Sequence, residues 1–209
     1  MRSCCATRCS VADGLTVMPL DRLLHDVRAC TACTDLPFGP RPVLQLARSA
    51  RLLIVGQAPG RKVHETGVPW NDASGERLRG WMGVERSVFY DEACVAIMPI
   101  GLCYPGRDRA GGDKPPRREC APLWHARLLE HLPDVRLTLL VGHHAQRFYL
   151  RSAGKGTMTE TVLGFRDYAP QFMPLPHPSW RSTIWMRENP WFEAKMLPEL
   201  RRTVDAVLA

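Results

Sequence analysis

Two short segments concentrate the residue types that could bind or transform a ligand. Gly56-Gln57-Ala58-Pro59-Gly60 follows the apolar run Leu52–Val55. Its two glycines and proline make a tight turn whose backbone N–H groups can face a ligand closely. A plain strand-exit turn is the other reading of the same residues. The segment has neither the Gly-Lys-Ser/Thr of a phosphate-binding P-loop nor the Gly-x-Gly-x-x-Gly of dinucleotide folds, so no nucleotide cofactor is expected. His177-Pro178-Ser179 follows a second apolar run, ending at Leu175, and sets an imidazole in a proline-flanked loop. Alone, that histidine could as well be a packed or solvated side chain.

Cysteine is the other reactive type. Of eight cysteines, Cys4, Cys5 and Cys9 fall in a polar stretch, residues 1–17, that reads as an N-terminal tail. Cys94 sits in an apolar run as a small core residue. Cys30, Cys33, Cys103 and Cys120 remain, and a reducing cell interior argues against pairing them as disulfides.

The elements that must position these residues follow from apolar periodicity. Leu20, Leu23, Leu24 and Val27 recur at helical spacing and predict a helix over Leu20–Ala29 leading into Cys30. Four apolar runs, Leu52–Val55, Val95–Ile100, Leu137–Val141 and Gln171–Leu175, read as buried parallel strands. Amphipathic stretches near Gly75–Met82, Arg118–Leu132, His144–Leu150 and Pro190–Leu208 read as helices. Strands alternating with helices predict a three-layer α/β/α sandwich around a mainly four-stranded parallel sheet, within one domain spanning residues 18–209. Ligands in such sheets bind beyond the carboxyl ends of the strands, which places the chemistry just after Val55, Ile100, Val141 and Leu175.

Lys plus Arg number 28 against 21 acidic residues, a formal charge of +7, which favours polyanionic partners. Arg107, Arg109, Lys114, Arg117 and Arg118 form a basic run suited to a phosphate backbone, or simply a solvated basic loop. No apolar run reaches the ~18 residues a membrane span needs, and Met1–Ser10 lacks the apolar core of a secretory signal. A cytoplasmic, nucleoid-associated monomer is the expectation.

In order, spacing and placement after strands, Gly-Gln-Ala-Pro-Gly and His-Pro-Ser resemble the two signature motifs of the uracil-DNA glycosylase superfamily, a likeness that extends over roughly Leu20–Leu208. Cys30-x2-Cys33, Cys103 and Cys120 resemble the cluster ligands of its iron–sulfur branch. The resemblance implies a monofunctional enzyme that flips uracil out of DNA and hydrolyses its N-glycosidic bond, leaving an abasic site. By that resemblance His177 donates a hydrogen bond to the departing base, and Gly56, Gln57, Ala58, Pro59 and Gly60 line the base pocket. Trp70 matches the ring that stacks on the flipped base, against a plain reading as core packing. Ala58 stands where several branches have a water-directing Asp or Asn. Another branch with alanine there carries its acidic residue in a segment like Asp72-Ala73-Ser74-Gly75. Asp72 is then a general base or an electrostatic partner of the sugar cation, or only the cap of the helix that follows. The family's uracil-reading asparagine has no counterpart in Ile97–Cys103, and Asn71 or backbone groups could substitute. Ser179, Trp180 and Arg181 match the intercalating loop, with Arg181 either a wedge or a phosphate contact.

Four thiolates suit a [4Fe–4S] cluster or a structural zinc, and unmetallated cysteines are a third reading. A single Cys-x-x-Cys with two isolated cysteines fits the cluster better than a zinc ribbon's paired knuckles. Other readings stay open at this point: a glycosylase for hypoxanthine or another deaminated base, a non-catalytic binder of damaged or abasic DNA, and a small-molecule enzyme of nucleotide metabolism.

Overall fold

The four apolar runs do form the sheet. Leu52–Val55 (β1), Val95–Ile97 (β2), Leu137–Val141 (β3) and Phe172–Leu175 (β4) lie in the order β2-β1-β3-β4, with every pairing parallel. This computed structural model describes residues 18–209, so the tail expected over 1–17, with Cys4, Cys5 and Cys9, lies outside the described residues. Leu52 and Leu53 of β1 sit opposite Val95 and Ala96 on one side and Leu137 and Thr138 on the other. β2 stops at Ile97, short of the expected Ile100, because Pro99 has no N–H to extend the ladder. β4 contains Pro174, which is tolerated because β4 is an edge strand paired only with β3.

Nine α-helices surround the sheet among the described residues: Leu20–Arg28 (α1), Arg61–Thr66 (α2), Ala73–Met82 (α3), Arg86–Phe89 (α4), Cys120–Leu129 (α5), His143–Leu150 (α6), Met158–Leu163 (α7), Ser182–Glu188 (α8) and Leu197–Leu208 (α9). α5 is shorter at both ends than the expected Arg118–Leu132. The expected Pro190–Leu208 helix is divided, with a π-helical turn at Phe192–Met196 before α9. The four helices not expected, α2, α4, α7 and α8, have four to seven residues, too few for an apolar period to declare itself.

Alternation along the strands divides the core into two layers. Leu52, Ile54, Val95, Ile97, Leu139 and Val141 face α3 and α9, meeting Leu78, Trp81, Leu200 and Val204. Leu53, Val55, Ala96 and Leu140 face the other way, toward Leu23 and Val27 of α1, Trp124 and Leu128 of α5, and Ala145 of α6. Burial on both faces explains why the strands read as unbroken apolar runs. Connections leave β1 toward β2 on one side while β3 lies on its other side, so the sheet's switch point falls between β1 and β3. No helix among the described residues is long and apolar enough to cross a membrane.

Candidate active site

At the carboxyl ends of the strands lies an open pocket lined by Gly56 through Gly60, Trp70, Asp72, Ser74, Pro99, Asp113 and His177. The Gly56–Gly60 turn leaves β1 directly and forms its floor. Trp70 forms a wall, and its backbone is unusual: φ is +54°, a left-handed value rare for a bulky residue. Two glycines make this possible. A β-carbon at Gly56 would stand 2.7 Å from Trp70 Cζ2, and one at Gly75 would stand 1.8 Å from the Trp70 carbonyl oxygen. The Trp70 segment is also clamped from behind. Tyr90 donates its hydroxyl to the Pro69 carbonyl at 3.0 Å, and buried Arg79 reaches the Trp70 carbonyl at 3.4 Å while pairing with Glu76 at 2.6 Å.

Asp72 begins α3. Its Oδ1 accepts the Gly75 N–H at 2.9 Å, so the capping role is real, yet the residue also lines the pocket. Capping and a place in the site are therefore held together by one carboxylate. His177 is fixed by its own turn: its carbonyl accepts the Ser179 N–H at 2.8 Å and the Ser182 hydroxyl. Burial holds its imidazole below the usual histidine pKa, with Asp72 pulling the other way and His144 adding to the depression. A neutral imidazole with an N–H to donate is the result at neutral pH.

Asp113 was not foreseen from the sequence. Its Oδ2 lies 3.6 Å from the point where a Gly60 β-carbon would stand, and Asp72 Oδ2 lies 3.9 Å from the same point. Burial raises the Asp113 pKa above the ordinary aspartate value; Arg107 opposes the shift, and Asp72 and Asp108 add to it. Asp113 sits in a basic, glycine-containing loop that reads as phosphate-binding, which masked a carboxylate among its cations.

The sequence profile of the uracil DNA glycosylase superfamily matches residues 45–201. The chain belongs to that superfamily. A DNA glycosylase acting on DNA follows from membership. A solution NMR structure from Methanosarcina acetivorans, provisionally assigned as a uracil DNA glycosylase, shares 16% identity, covers 76% of this chain and 93% of its own, and superposes with a TM-score of 0.41. Wild-type SMUG2 of Pedobacter heparinus, a crystal structure, shares 11% identity over 77% of this chain and 74% of its own, with a TM-score of 0.34.

In this glycosylase the pocket gathers Gly56, Gln57, Ala58, Pro59, Gly60, Trp70, Asp72 and His177 from the residues singled out in sequence. Asn71 is not among the lining residues. Its Oδ1 accepts from Arg86 at 3.1 Å. Ser179, Trp180 and Arg181 lie on the loop beside the pocket. Ser179 holds Arg77 through its carbonyl at 2.5 Å, and Trp180 is 69% exposed beneath the Arg181 guanidinium, 5.3 Å away. An exposed aromatic ring with a cation over it suits contact with DNA.

The four unexplained cysteines of this glycosylase converge on a different place. Cys30, Cys33, Cys103 and Cys120 border one small hollow together with Arg117. Among the described residues, no three His, Cys, Asp or Glu side chains converge on a single-ion site. The Leu102 N–H points at Cys120 Sγ at 3.3 Å, and buried Arg117 Nε has no hydrogen-bond partner. Burial pushes Cys103 up to about 12 and Cys120 to about 11, so both are thiols unless a cation draws the protons off. Four thiols, an N–H aimed at sulfur and an orphaned guanidinium nitrogen fit a thiolate-held anionic group.

Proposed function

We propose that the protein is a monofunctional uracil-DNA glycosylase of the superfamily's iron–sulfur branch, acting as a monomer to leave an abasic site in DNA. The observation that carries this reading is the meeting, in one pocket, of a rigid indole face, a neutral histidine and a carboxylate, over the backbone of the Gly56–Gly60 turn. A flipped base stacks on Trp70, and its departing anion is met by the His177 N–H, the group whose loss costs most at such positions. Asp72 supplies negative charge toward the cationic sugar as the C1′–N bond lengthens. With Ala58 at the usual water-directing position, the carboxylates must come from elsewhere in the pocket.

Cys30, Cys33, Cys103 and Cys120 would hold a [4Fe–4S] cluster. A single Cys-x-x-Cys joined by two isolated cysteines suits the cluster better than the paired knuckles of a zinc ribbon. When bound, the cluster supplies a cross-link between the end of α1 and the segment from Cys103 to the start of α5. Arg117, which also pairs with Asp35 at 2.6 Å, would face the cluster with its free Nε–H.

Asn71 paired with Arg86 and no asparagine in Ile97–Cys103 favour a second reading, in which hypoxanthine or another deaminated base is removed instead of uracil. Single-turnover cleavage of oligonucleotides carrying one uracil, hypoxanthine or xanthine, single-stranded or paired, tests both readings. Uracil cleavage supports the first, and cleavage only at another base supports the second. Tight binding with no cleavage of any substrate would instead identify a damaged-DNA binder.

A further inference from the structure

The pocket holds two acidic side chains, and the family resemblance accounts for only one of them. Asp72 and Asp113 approach the Gly60 backbone from opposite elements, the start of α3 and the loop between β2 and α5, with their Oδ2 atoms 3.9 and 3.6 Å from a common point. Their situations differ. Asp72 Oδ1 accepts the Gly75 N–H at the head of a helix, which fixes it in place. Asp113 carries no such cap and keeps an exposed edge while lining the pocket.

The loop that carries Asp113 is built to hold it still. Arg107 and Asp113 pair as an antiparallel bridge, and the Lys114 N–H bonds the Gly106 carbonyl at 2.9 Å. Asp108 Oδ1 accepts the Ala110 and Gly112 N–H groups, each at 2.9 Å, closing the turn. Gln57 then donates its side-chain amide to the Lys114 carbonyl at 3.2 Å, tying the residue after Asp113 to the floor of the pocket. Gln57 thus acts as a strut as well as a lining residue.

We propose that Asp113 is the residue that takes the proton from the attacking water, while capped Asp72 serves as the fixed negative charge opposite the sugar cation. This rests on the glycosylase reading above. The water oxygen bonds to C1′ as the C1′–N bond breaks, and the bonding pair leaves on the base toward His177. The water's proton passes to the Asp113 carboxylate and from there to solvent or to the departed base, so no further reactant is needed. Burial raises the proton affinity of Asp113 in the direction a base requires. The charged groups around it are Arg107 and Asp108 on its own loop, Asp72 at α3 and His177 after β4. Arg181 also approaches, its Nη1 3.8 Å from the Gly112 β-carbon position.

The test is single-turnover excision by the full-length, metal-replete protein, read alongside binding to an oligonucleotide carrying non-cleavable 2′-fluoro-2′-deoxyuridine. Asp113→Asn is expected to slow excision by roughly 100-fold or more with binding little changed. Asp113→Glu should recover part of the rate, and added formate should partly restore Asp113→Ala. An Asp113→Asn rate within about threefold of wild type overturns the assignment, since a general base contributes on the order of 100-fold. So does an Asp113→Ala enzyme that formate leaves unchanged. Wild-type protein inert on every base would remove the glycosylase reading and this inference with it, whereas active wild type with active Asp113→Asn removes this inference alone.

Discussion

The indole of Trp70 leans over the imidazole of His177, their ring centroids 5.8 Å apart and their planes inclined at 36°. One ring comes from the segment entering α3 and the other from the loop leaving β4, so the stacking face and the hydrogen-bond donor are set by opposite ends of the sheet's connections. That relationship makes the pocket a single unit rather than a set of separate contacts.

Replacing His177 with alanine should cost about 3 kcal/mol of transition-state stabilisation, or roughly 100-fold in single-turnover rate. Because burial lowers the imidazole's pKa, the ring is already neutral at pH 7, and no further proton leaves it as pH rises. The rate of wild-type enzyme should therefore show no fall attributable to His177 deprotonation between about pH 7 and 8. A rate that drops across that window would mean that the cationic ring is the active form.

Gly75→Ala should be among the most damaging small substitutions. Its β-carbon would sit 1.8 Å from the Trp70 carbonyl oxygen, backbone against backbone, with no flexible side chain to yield. A loss of roughly 2 kcal/mol or more in unfolding free energy is expected, together with loss of base stacking. Chemical denaturation and Trp70 fluorescence would show both. Gly80→Ala, which meets nothing within 4 Å, is the matched control in the same helix.

His125 gives the fold an acid-sensitive point outside the pocket. It is 1% exposed on α5, with Nε2 3.1 Å from the Pro99 carbonyl and Nδ1 2.9 Å from the Tyr149 hydroxyl. A carbonyl only accepts, so Nε2 donates to Pro99 and Nδ1 accepts from Tyr149. Burial drops its pKa from 6.5 to about 4. The unfolded chain then binds a proton that the folded one refuses between those values. Stability should be full above about pH 6.5 and should fall by about 3 kcal/mol as pH drops to 4. Urea titrations of wild type and His125→Gln across that range should show a shallower pH slope for the variant.

Protein purified without oxygen should carry about four iron atoms and matching acid-labile sulfide. Cys103→Ser or Cys120→Ser should lower both and reduce thermal stability. Stoichiometric zinc with no sulfide would replace the cluster with a metal ion, and neither metal would leave four ordinary thiols.

The strands were legible because burial on both faces leaves continuous apolar runs, and the Gly56–Gly60 and His177–Ser179 loops followed from where those runs end. Asp113 was not legible for the opposite reason. It lies in a segment with no period, among cations that dominate its character, and only the fold brings it against Gly60. The Asn71–Arg86 hydrogen bond was equally out of reach, since it joins residues fifteen apart across two elements. For Asp72 the sequence offered a cap or a place in the site as alternatives, and the fold gives the one carboxylate both.

The left-handed backbone at Trp70 has a bearing on which bases reach the site. Gly75, Arg79 and Tyr90 hold that peptide before any DNA arrives, so the order of the stacking platform is established during folding and binding need not create it. Little induced fit is left to reward a base that is hard to extrude. Discrimination then falls on the substrate's own unpairing, and a base in a single strand or a mismatch, where extrusion is easiest, has the advantage over one in a stable pair.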